Sequence, residues 1–375
     1  MTQTPTSEIG AMATLDSSFF DDVLLGKLPL IDVRAPIEFD EGHVPNSINI
    51  PLLDNTQREQ VGRRYKQQGQ EAAIALGQTL VAGQDKAEKL KAWCNTLASQ
   101  PHSVITCFRG GLRSKTTQAW LQENGWQVAR IEGGYKALRH HAIATTARVS
   151  QNKKLIIVGG RTGIGKTHLV NRLNSSVDLE GLANHRGSAF GRRATPQPAQ
   201  AVFENQLASA LLTKESLACD SLFLEDESRA IGSISLPLEF HRAMSLAPIV
   251  SVEEPLEYRV ETILNDYIVS NLQDFRNLTP ENADSLFADS LLGSLDRIQK
   301  RLGSERHLQV GKLMQTALAN DNDHDLHRQW IRSLLCDYYD PMYSYQMEKK
   351  KHRLVFRGNS RSFLDWAAEF DAAQS

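Results

Sequence analysis

Eight residues near the middle of the chain, Gly160-Arg161-Thr162-Gly163-Ile164-Gly165-Lys166-Thr167, constrain its fold more than any other stretch. The apolar, β-branched run Leu155-Ile156-Ile157-Val158 precedes them and reads as a buried strand. His168-Leu169-Val170-Asn171-Arg172-Leu173 follows and fits the start of a helix. Strand, glycine-rich loop and helix in this order make a Walker A P-loop, a motif of α/β domains. Gly160, Gly163 and Gly165 let backbone N–H groups converge on phosphate oxygens, and the helix start adds partial positive charge. Lys166 is placed to neutralise a terminal phosphate and Thr167 to ligate Mg²⁺. An ordinary glycine-rich turn would not carry both flanks. The pattern predicts a diphosphate or triphosphate site, and the Rossmann spacing Gly-x-Gly-x-x-Gly is not met.

One P-loop domain does not use up the chain. Its 375 residues exceed a typical domain of ~100–200, so two or three domains are expected. The 41% hydrophobic content supports packed cores, and 23% charged is ordinary for a soluble protein. No apolar run approaches the ~20 residues of a membrane span, so no membrane partner is expected. Met1 to Leu15 lacks the basic flank and apolar core of a secretory signal. Four cysteines, none in Cys-x-x-Cys spacing, argue against a disulfide framework and against a structural metal site. The expected location is a reducing cytoplasm. A net charge of −2 gives no global sign of nucleic-acid binding, which must then rest on local basic patches.

Ahead of the P-loop, Leu28 to Arg34 reads as a short buried strand, and Gly42 to Pro51 as a turn leading into a second. A polar stretch around Gln60 to Gly69 is expected to be helical. The helix from about Asp85 to Ser99 is amphipathic, with Leu90, Trp93, Cys94 and Leu97 at helical spacing, and Cys94 there fits core packing. Val104-Ile105-Thr106 then runs directly into Cys107-Phe108-Arg109-Gly110-Gly111-Leu112-Arg113-Ser114, and a helix follows to Gly125. A cysteine at a strand end, in a glycine-containing loop that opens a helix, sits where amide N–H groups favour an anion. With Arg109 and Arg113 nearby, Cys107 is expected to be a nucleophilic thiolate, and Arg109, Gly110, Gly111 and Arg113 to form an anion loop.

Asp32-Val33-Arg34, Glu38-Phe39, Gly42-His43-Val44-Pro45, the Cys107 to Ser114 loop and Glu132-Gly133-Gly134-Tyr135 together resemble a rhodanese domain, over roughly Leu15 to Arg139. The resemblance implies a loop cysteine that carries sulfur or selenium as a persulfide or selenopersulfide. The expected architecture is therefore α/β throughout its first two parts. A rhodanese-like parallel-sheet domain spans 15–139 and a polar connection 140–154. A P-loop NTPase-like α/β domain spans 155–270, and a mainly helical C-terminal region spans 271–375.

Beyond the P-loop, Asp178 to Gly191 is dense in polar and small residues, and Asp178, Glu180, His185 and Arg186 are candidate substrate contacts. Ser221 to Ser228 has the form of a Walker B strand, so Thr167, Glu225 and Asp226 are the candidate Mg²⁺ ligands. Pro248 to Val252 is a further strand. Leu291, Leu295 and Ile298 show helical core spacing. Asp321, Asp323 and Asp325 imitate an EF-hand start, but Leu326 stands where glycine is needed and Arg332 where the last glutamate belongs. With His324 and His327 they read as an exposed polar loop. Cys219 and Cys336 read as structural. Tyr338 to Gln346, followed by Lys349-Lys350-Lys351-His352-Arg353, suits base stacking and phosphate contacts as well as it suits a solvated face. The RNA candidates are Arg192, Arg193, Lys349, Lys350, Lys351 and Arg353, with Arg63, Arg64 and Lys66 as a further basic cluster.

A rhodanese domain followed by this P-loop domain, with Val61-Gly62, Tyr65-Lys66-Gln67, Gly69, Asp178 to Gly191 and Tyr338 to Gln346, closely resembles the tRNA 2-selenouridine synthase family over nearly the whole length. The resemblance implies action on tRNA that carries 2-thiouridine at the wobble position. It implies S-geranylation from geranyl diphosphate, then displacement of the S-geranyl group by selenium from selenophosphate. A selenophosphate-supplying protein is then a candidate partner. The residues alone leave two other classes open: an ATP-dependent tRNA sulfurtransferase, and a redox-sensing regulator that binds tRNA or nucleotide without catalysis. The sequence is silent on oligomeric state.

Overall fold

The computed structural model of the chain describes residues 13–217 and 219–372. They divide into two compact units, Met1–Thr146 with Ala199–Thr213, and Ala147–Pro198 with Lys214–Ser375.

The first unit is built on a five-stranded parallel sheet of β1 (Thr14–Leu15), β2 (Leu30–Asp32), β3 (Ile48–Asn49), β4 (Val104–Thr106) and β5 (Arg130–Ile131), in the order β1-β5-β4-β2-β3. Both faces are covered, as a parallel sheet requires. Successive residues serve opposite faces: Leu30 and Val104 join the core around Phe20, Leu24 and Ile131, while Ile31 and Ile105 join the one around Trp93, Leu97 and Leu121. The helix Gly83–Ser99 buries Trp93 and Leu97, and Trp93 Nε1 donates to Ile50 O at 3.0 Å. The expected helix around Gln60 to Gly69 is the first arm of the segment Asn55–Leu80, which reverses at Gly69, where φ is 82° and ψ −176°. Asp54 and Gln57 close its start as a capping box.

Two findings depart from the expected boundaries. The polar stretch expected to connect the domains is helical through Asn152, as the end of the helix Gly134–Asn152. The helix Gln200–Glu215, far past the P-loop in sequence, packs in the first unit up to Thr213. Its Ala208 and Leu212 join the core of Phe20 and Leu24, Asn205 Nδ2 donates to His43 O at 2.7 Å, and Ser209 Oγ donates to Leu24 O at 2.8 Å. A helix's apolar stripe shows that it has a partner without showing which one.

The second unit holds another five-stranded parallel sheet: β6 (Lys154–Gly160), β7 (Ser176–Val177), β8 (Ser221–Glu225), β11 (Ile249–Val252) and β12 (Leu354–Gly358), ordered β12-β11-β6-β8-β7. A small antiparallel pair, β9 (Ala230–Ile231) and β10 (Ile234–Ser235), stands apart. The P-loop strand β6 is central and buried from Leu155 onward, with Val158 paired to Glu225 and Gly160 to Val252. Strand β12 was not expected in a region read as helical. It is a short edge strand with only alternate residues half-buried, so its apolar pattern is faint.

The helices Ala283–Leu302, Ser304–Ala319 and His324–Leu334 pack Phe287, Leu291, Leu295, Ile298, Met314, Trp330 and Ile331 into one core. The stretch with His324 and His327 is no exposed loop. Asp323 caps the helix His324–Leu334, and His327 is fully buried, its Nδ1 accepting from Trp330 Nε1 at 2.9 Å. Burial, then His324, pushes His327 down to about 4, so it packs as a neutral ring. Among the described residues no helix is long and apolar enough to cross a membrane.

Candidate functional site

In the first unit, β4 ends at Thr106 and delivers Cys107 to the loop, buried, with Sγ 3.2 Å from Ser114 Oγ. The amides of Phe108 to Gly111 find no backbone acceptor among the described residues. The loop is clamped from behind by the Gly133-Gly134 turn: Tyr135 N donates to Cys107 O at 2.8 Å and Lys136 N to Phe108 O at 3.0 Å. A side chain at Gly134, where φ is +64°, would collide with Cys107 O and Gly110 N, so only glycine fits this approach. Arg113 is held in a two-pronged pair with Glu38, at 2.5 and 3.0 Å, and Arg58 reaches the same carboxylate at 3.2 Å. Arg109 is exposed, its guanidinium 5.6 Å from the Phe108 ring centre. Gly110, at φ +63° and close to Ile131 O, shapes the loop, Arg113 braces it, and Arg109 is in no ion pair among the described residues.

In the second unit the P-loop leaves β6 and turns through Gly163 and Gly165, at φ +88° and +76°, conformations that side chains rarely adopt. The helix behind it is shorter than expected, Lys166–Val170, because Ser176 Oγ donates to Val170 O at 2.6 Å and Leu173 O at 2.8 Å and ends it. A one-turn helix has little dipole, so anion binding here rests on loop amides and Lys166.

Thr167 Oγ1 lies 2.9 Å from Glu180 Oε2 and 2.8 Å from Glu225 Oε1, and Glu180 N donates to Glu225 Oε2 at 3.0 Å. Glu227 lies beside Glu180, since a Cβ added at Gly187 would meet carboxylate oxygens of both. Burial, then the charges of Glu180 and Asp178, pushes Glu225 up to about 8. Burial and Glu180 also raise Glu227 well above the carboxylate range, with Lys166 opposing. Such an acid cluster is short of positive charge. Among the described residues no His, Cys, Asp or Glu group forms a ready cation cage. Mg²⁺ needs none, because it keeps several waters and takes one or two carboxylates plus substrate phosphates. Thr167, Glu180, Glu225 and Glu227 fit it as hard oxygen donors.

The loop opens onto a cavity of about 1060 Å³. Its lining includes Lys166, Thr167 and Glu227, the cations Arg186, Arg193 and Arg297, and Tyr267, Tyr338, Tyr339, Met342 and Tyr343. Three of the tyrosines come from π-helical stretches, Leu264–Val269 and Leu335–Tyr339. The extra residue in such a turn re-aims side chains, and these turns recur at functional sites. A separate small pocket of about 20 Å³, lined by Phe190, Trp330, Ile331, Leu334 and Leu335, shares Thr162, Ser188, Ile263, Tyr267 and Tyr339 with the cavity lining.

Residues 153–374 match the family model described as the tRNA 2-selenouridine synthase AAA domain, and residues 20–141 match the rhodanese-like domain. A tRNA 2-selenouridine synthase of Pseudomonas syringae pv. tomato is 48% identical over 358 residues, covering 94% of this chain and 98% of its own length. Those of Shewanella frigidimarina and Azotobacter vinelandii are 46% and 45% identical, each covering 94% of this chain and 97% of their own. The chain belongs to the tRNA 2-selenouridine synthase family.

In this family member the sequence candidates separate into groups. Gly160, Gly163, Gly165, Lys166, Thr167, Glu180 and Glu225 converge on the P-loop, where Glu180 sits beside the Mg²⁺ candidate Thr167. Asp226, expected with them, is held by Lys350 at 2.7 and 2.9 Å. Glu227 was missed. It lies just past the Walker B strand, where a Glu225–Glu227 turn closed at 2.8 Å folds it back towards Glu180. Asp178 is structural, accepting from Gly181 N at 2.6 Å and Asn171 Nδ2 at 3.0 Å. His185 is buried and pushed down to about 4 by burial and by Arg192, Arg297, Arg193 and Arg186, so it is a neutral ring among cations. The basic tail is largely engaged. Lys350 holds Asp226, Arg353 donates to Ala247 O at 2.7 Å and Met244 O at 2.8 Å, and Lys351 pairs with Glu348 at 3.2 Å. Lys349 lies 4.2 Å over the exposed Tyr345 ring.

Proposed function

We propose that the chain converts wobble 2-thiouridine of tRNA to 2-selenouridine through an S-geranyl intermediate, using geranyl diphosphate and selenophosphate. The observation that carries this reading is the P-loop cavity, which joins a diphosphate-binding loop to an aromatic and apolar wall. A ten-carbon prenyl diphosphate uses both.

The chemistry follows from the leaving groups. A thiocarbonyl sulfur departs poorly from uridine, whereas an alkylated sulfur departs as a thiol. In the first half the thiocarbonyl sulfur attacks the prenyl carbon that bears the diphosphate, a C–S bond forms, and the C–O bond breaks. Lys166 and the loop amides hold the departing diphosphate, and the Tyr267 to Tyr343 wall keeps water from the prenyl carbon. Mg²⁺, held by Thr167 with Glu180, Glu225 or Glu227, would supply charge neutralisation at the diphosphate. In the second half selenium from selenophosphate attacks the base carbon, geranyl thiol leaves, and water takes the phosphoryl group. The Cys107 loop handles the selenium donor, its amides facing the anion and Ser114 holding the sulfur in place.

Product analysis tests the reading. Thiolated tRNA incubated with geranyl diphosphate and Mg²⁺ should yield S-geranyl-2-thiouridine without ATP, and selenophosphate should then yield 2-selenouridine. Turnover that requires ATP and never transfers a prenyl group would replace this reading with nucleotide-driven sulfur transfer.

A further inference from the structure

The lining of the P-loop cavity includes five cations that the diphosphate reading does not use. Arg186 and Arg193 come from the loop after β7, and Arg297, Lys300 and Arg301 from the last two turns of the helix Ala283–Leu302. Among the described residues none of the five is in an ion pair. The hydrogen-bond partners found for them are neutral. Arg186 Nη1 donates to Asn271 Oδ1 at 3.4 Å, and Arg297 Nη2 to Ala189 O at 2.9 Å and Ser294 Oγ at 2.6 Å. Arg193 Nε is buried with no partner at all among the described residues. Burial and Arg193 lower Arg186, burial and Arg192 lower Arg297, and the ring of His185 beside them stays neutral. The acids in the same lining are Glu180, Asp226, Glu227, Asp266 and Asp274, and Asp266 and Asp274 act on Arg186 without pairing with it. Like charges gathered against Coulomb repulsion, without carboxylate partners, are complementary to an anion that arrives from outside.

The form of the site selects the anion. At the P-loop a compact diphosphate is met by converging backbone amides. Here the donors are side chains spread along a loop and a helix end, which suits charges repeated along a chain. Arg186 lies 5.5 Å from the ring centre of Tyr267, and Tyr338 and Tyr343 line the same wall, so flat faces stand beside the charges. That combination is how unpaired bases and their phosphates are gripped. The cavity's roughly 1060 Å³ also lies at the upper end of the 300–1,000 Å³ typical for one small ligand.

We infer that Arg186, Arg193, Arg297, Lys300 and Arg301 hold the RNA phosphodiesters that flank the nucleotide being modified, so that acceptor RNA and diphosphate donor share the P-loop cavity. This rests on the proposed transfer from a diphosphate donor to tRNA. It places the RNA grip on the cavity wall, away from the basic tail whose Lys350 and Arg353 are already engaged.

The test uses the full chain carrying Lys300→Ala with Arg301→Ala, both exposed and outside the core, and separately Arg193→Gln. Labelled tRNA is titrated at several salt concentrations by fluorescence anisotropy. The double variant should bind about ten-fold more weakly at low salt and flatten the slope of log affinity against log salt by up to about 1.4, at ~0.7 per lost single-strand contact. Arg193→Gln should lose about half that slope. Calorimetric binding of inorganic pyrophosphate with Mg²⁺ should be unchanged in both. Unaltered tRNA affinity and slope would overturn the inference. So would lost pyrophosphate binding with intact tRNA binding, which would make the wall part of the donor site. If the wild type fails to geranylate tRNA while the variants still lose RNA binding, the donor reading falls and the RNA wall stands.

Discussion

Glu225 shows what burial among like charges does to a single carboxyl group. In the unfolded chain it ionises in the ordinary carboxylate range, near 4.5, whereas in the fold burial and Glu180 push it up to about 8. Between those limits the folded state holds a proton that the unfolded state has released. Stability without divalent cation should therefore fall as pH rises from about 4.5 to 8. Mg²⁺ competes with that proton, so the gain in Tm on adding Mg²⁺ should be larger near pH 8 than near pH 6. Scanning fluorimetry across pH with and without Mg²⁺ reads this directly, and an equal gain at both pH values would place the cation elsewhere. At the other candidate centre, Cys107→Ser keeps the buried contact with Ser114 but removes the sulfur. Digested tRNA from that variant should contain S-geranyl-2-thiouridine and lack 2-selenouridine. Normal 2-selenouridine would exclude Cys107 from the selenium step.

At the scale of elements, the P-loop is braced from below by a pair that sequence reading did not find. Arg259, buried on the helix Leu256–Ile263, donates to both carboxylate oxygens of Asp340 at 2.7 and 2.8 Å and reaches Thr162 O of the loop at 3.3 Å. Replacing Asp340 by alanine leaves a buried, uncompensated guanidinium and should cost about 3–5 kcal/mol, measured by urea denaturation. A loss below about 1 kcal/mol, the scale of an exposed pair, would mean that solvent already screens it. The segment Tyr338 to Gln346, whose aromatics suit base stacking or a solvated face, supplies Asp340 to this brace and Tyr338, Tyr339 and Tyr343 to the cavity lining. What was legible were the local signals: apolar runs for β4, β6 and β8, the glycine pattern of the P-loop, and Leu291, Leu295 and Ile298 as one helix face. Pairings across 81 residues, such as Arg259 with Asp340, leave no mark in any single window. The edge strand β12 is faint because only alternate residues are half-buried.

For the whole molecule, the helix Gln200–Glu215 makes the first unit discontinuous in sequence. A truncation that ends at residue 152 removes Ala208 and Leu212 from the core of Phe20 and Leu24, together with the bond from Asn205 to His43 O. That fragment should unfold at lower denaturant than a version with residues 199–213 joined to it by a flexible linker. Equal midpoints would show that the helix adds nothing to that core. On the proposed reading the P-loop serves a prenyl diphosphate and not a nucleotide. Mass spectrometry of nucleosides from thiolated tRNA, treated with geranyl diphosphate and Mg²⁺ by the wild type and by Lys166→Ala, tests it most directly. The account predicts S-geranyl-2-thiouridine from the wild type without any nucleotide. It predicts a roughly ten- to hundred-fold lower yield from the variant, the worth of one charge-assisted contact. Equal prenylation by both proteins, or none until ATP is added, would contradict it.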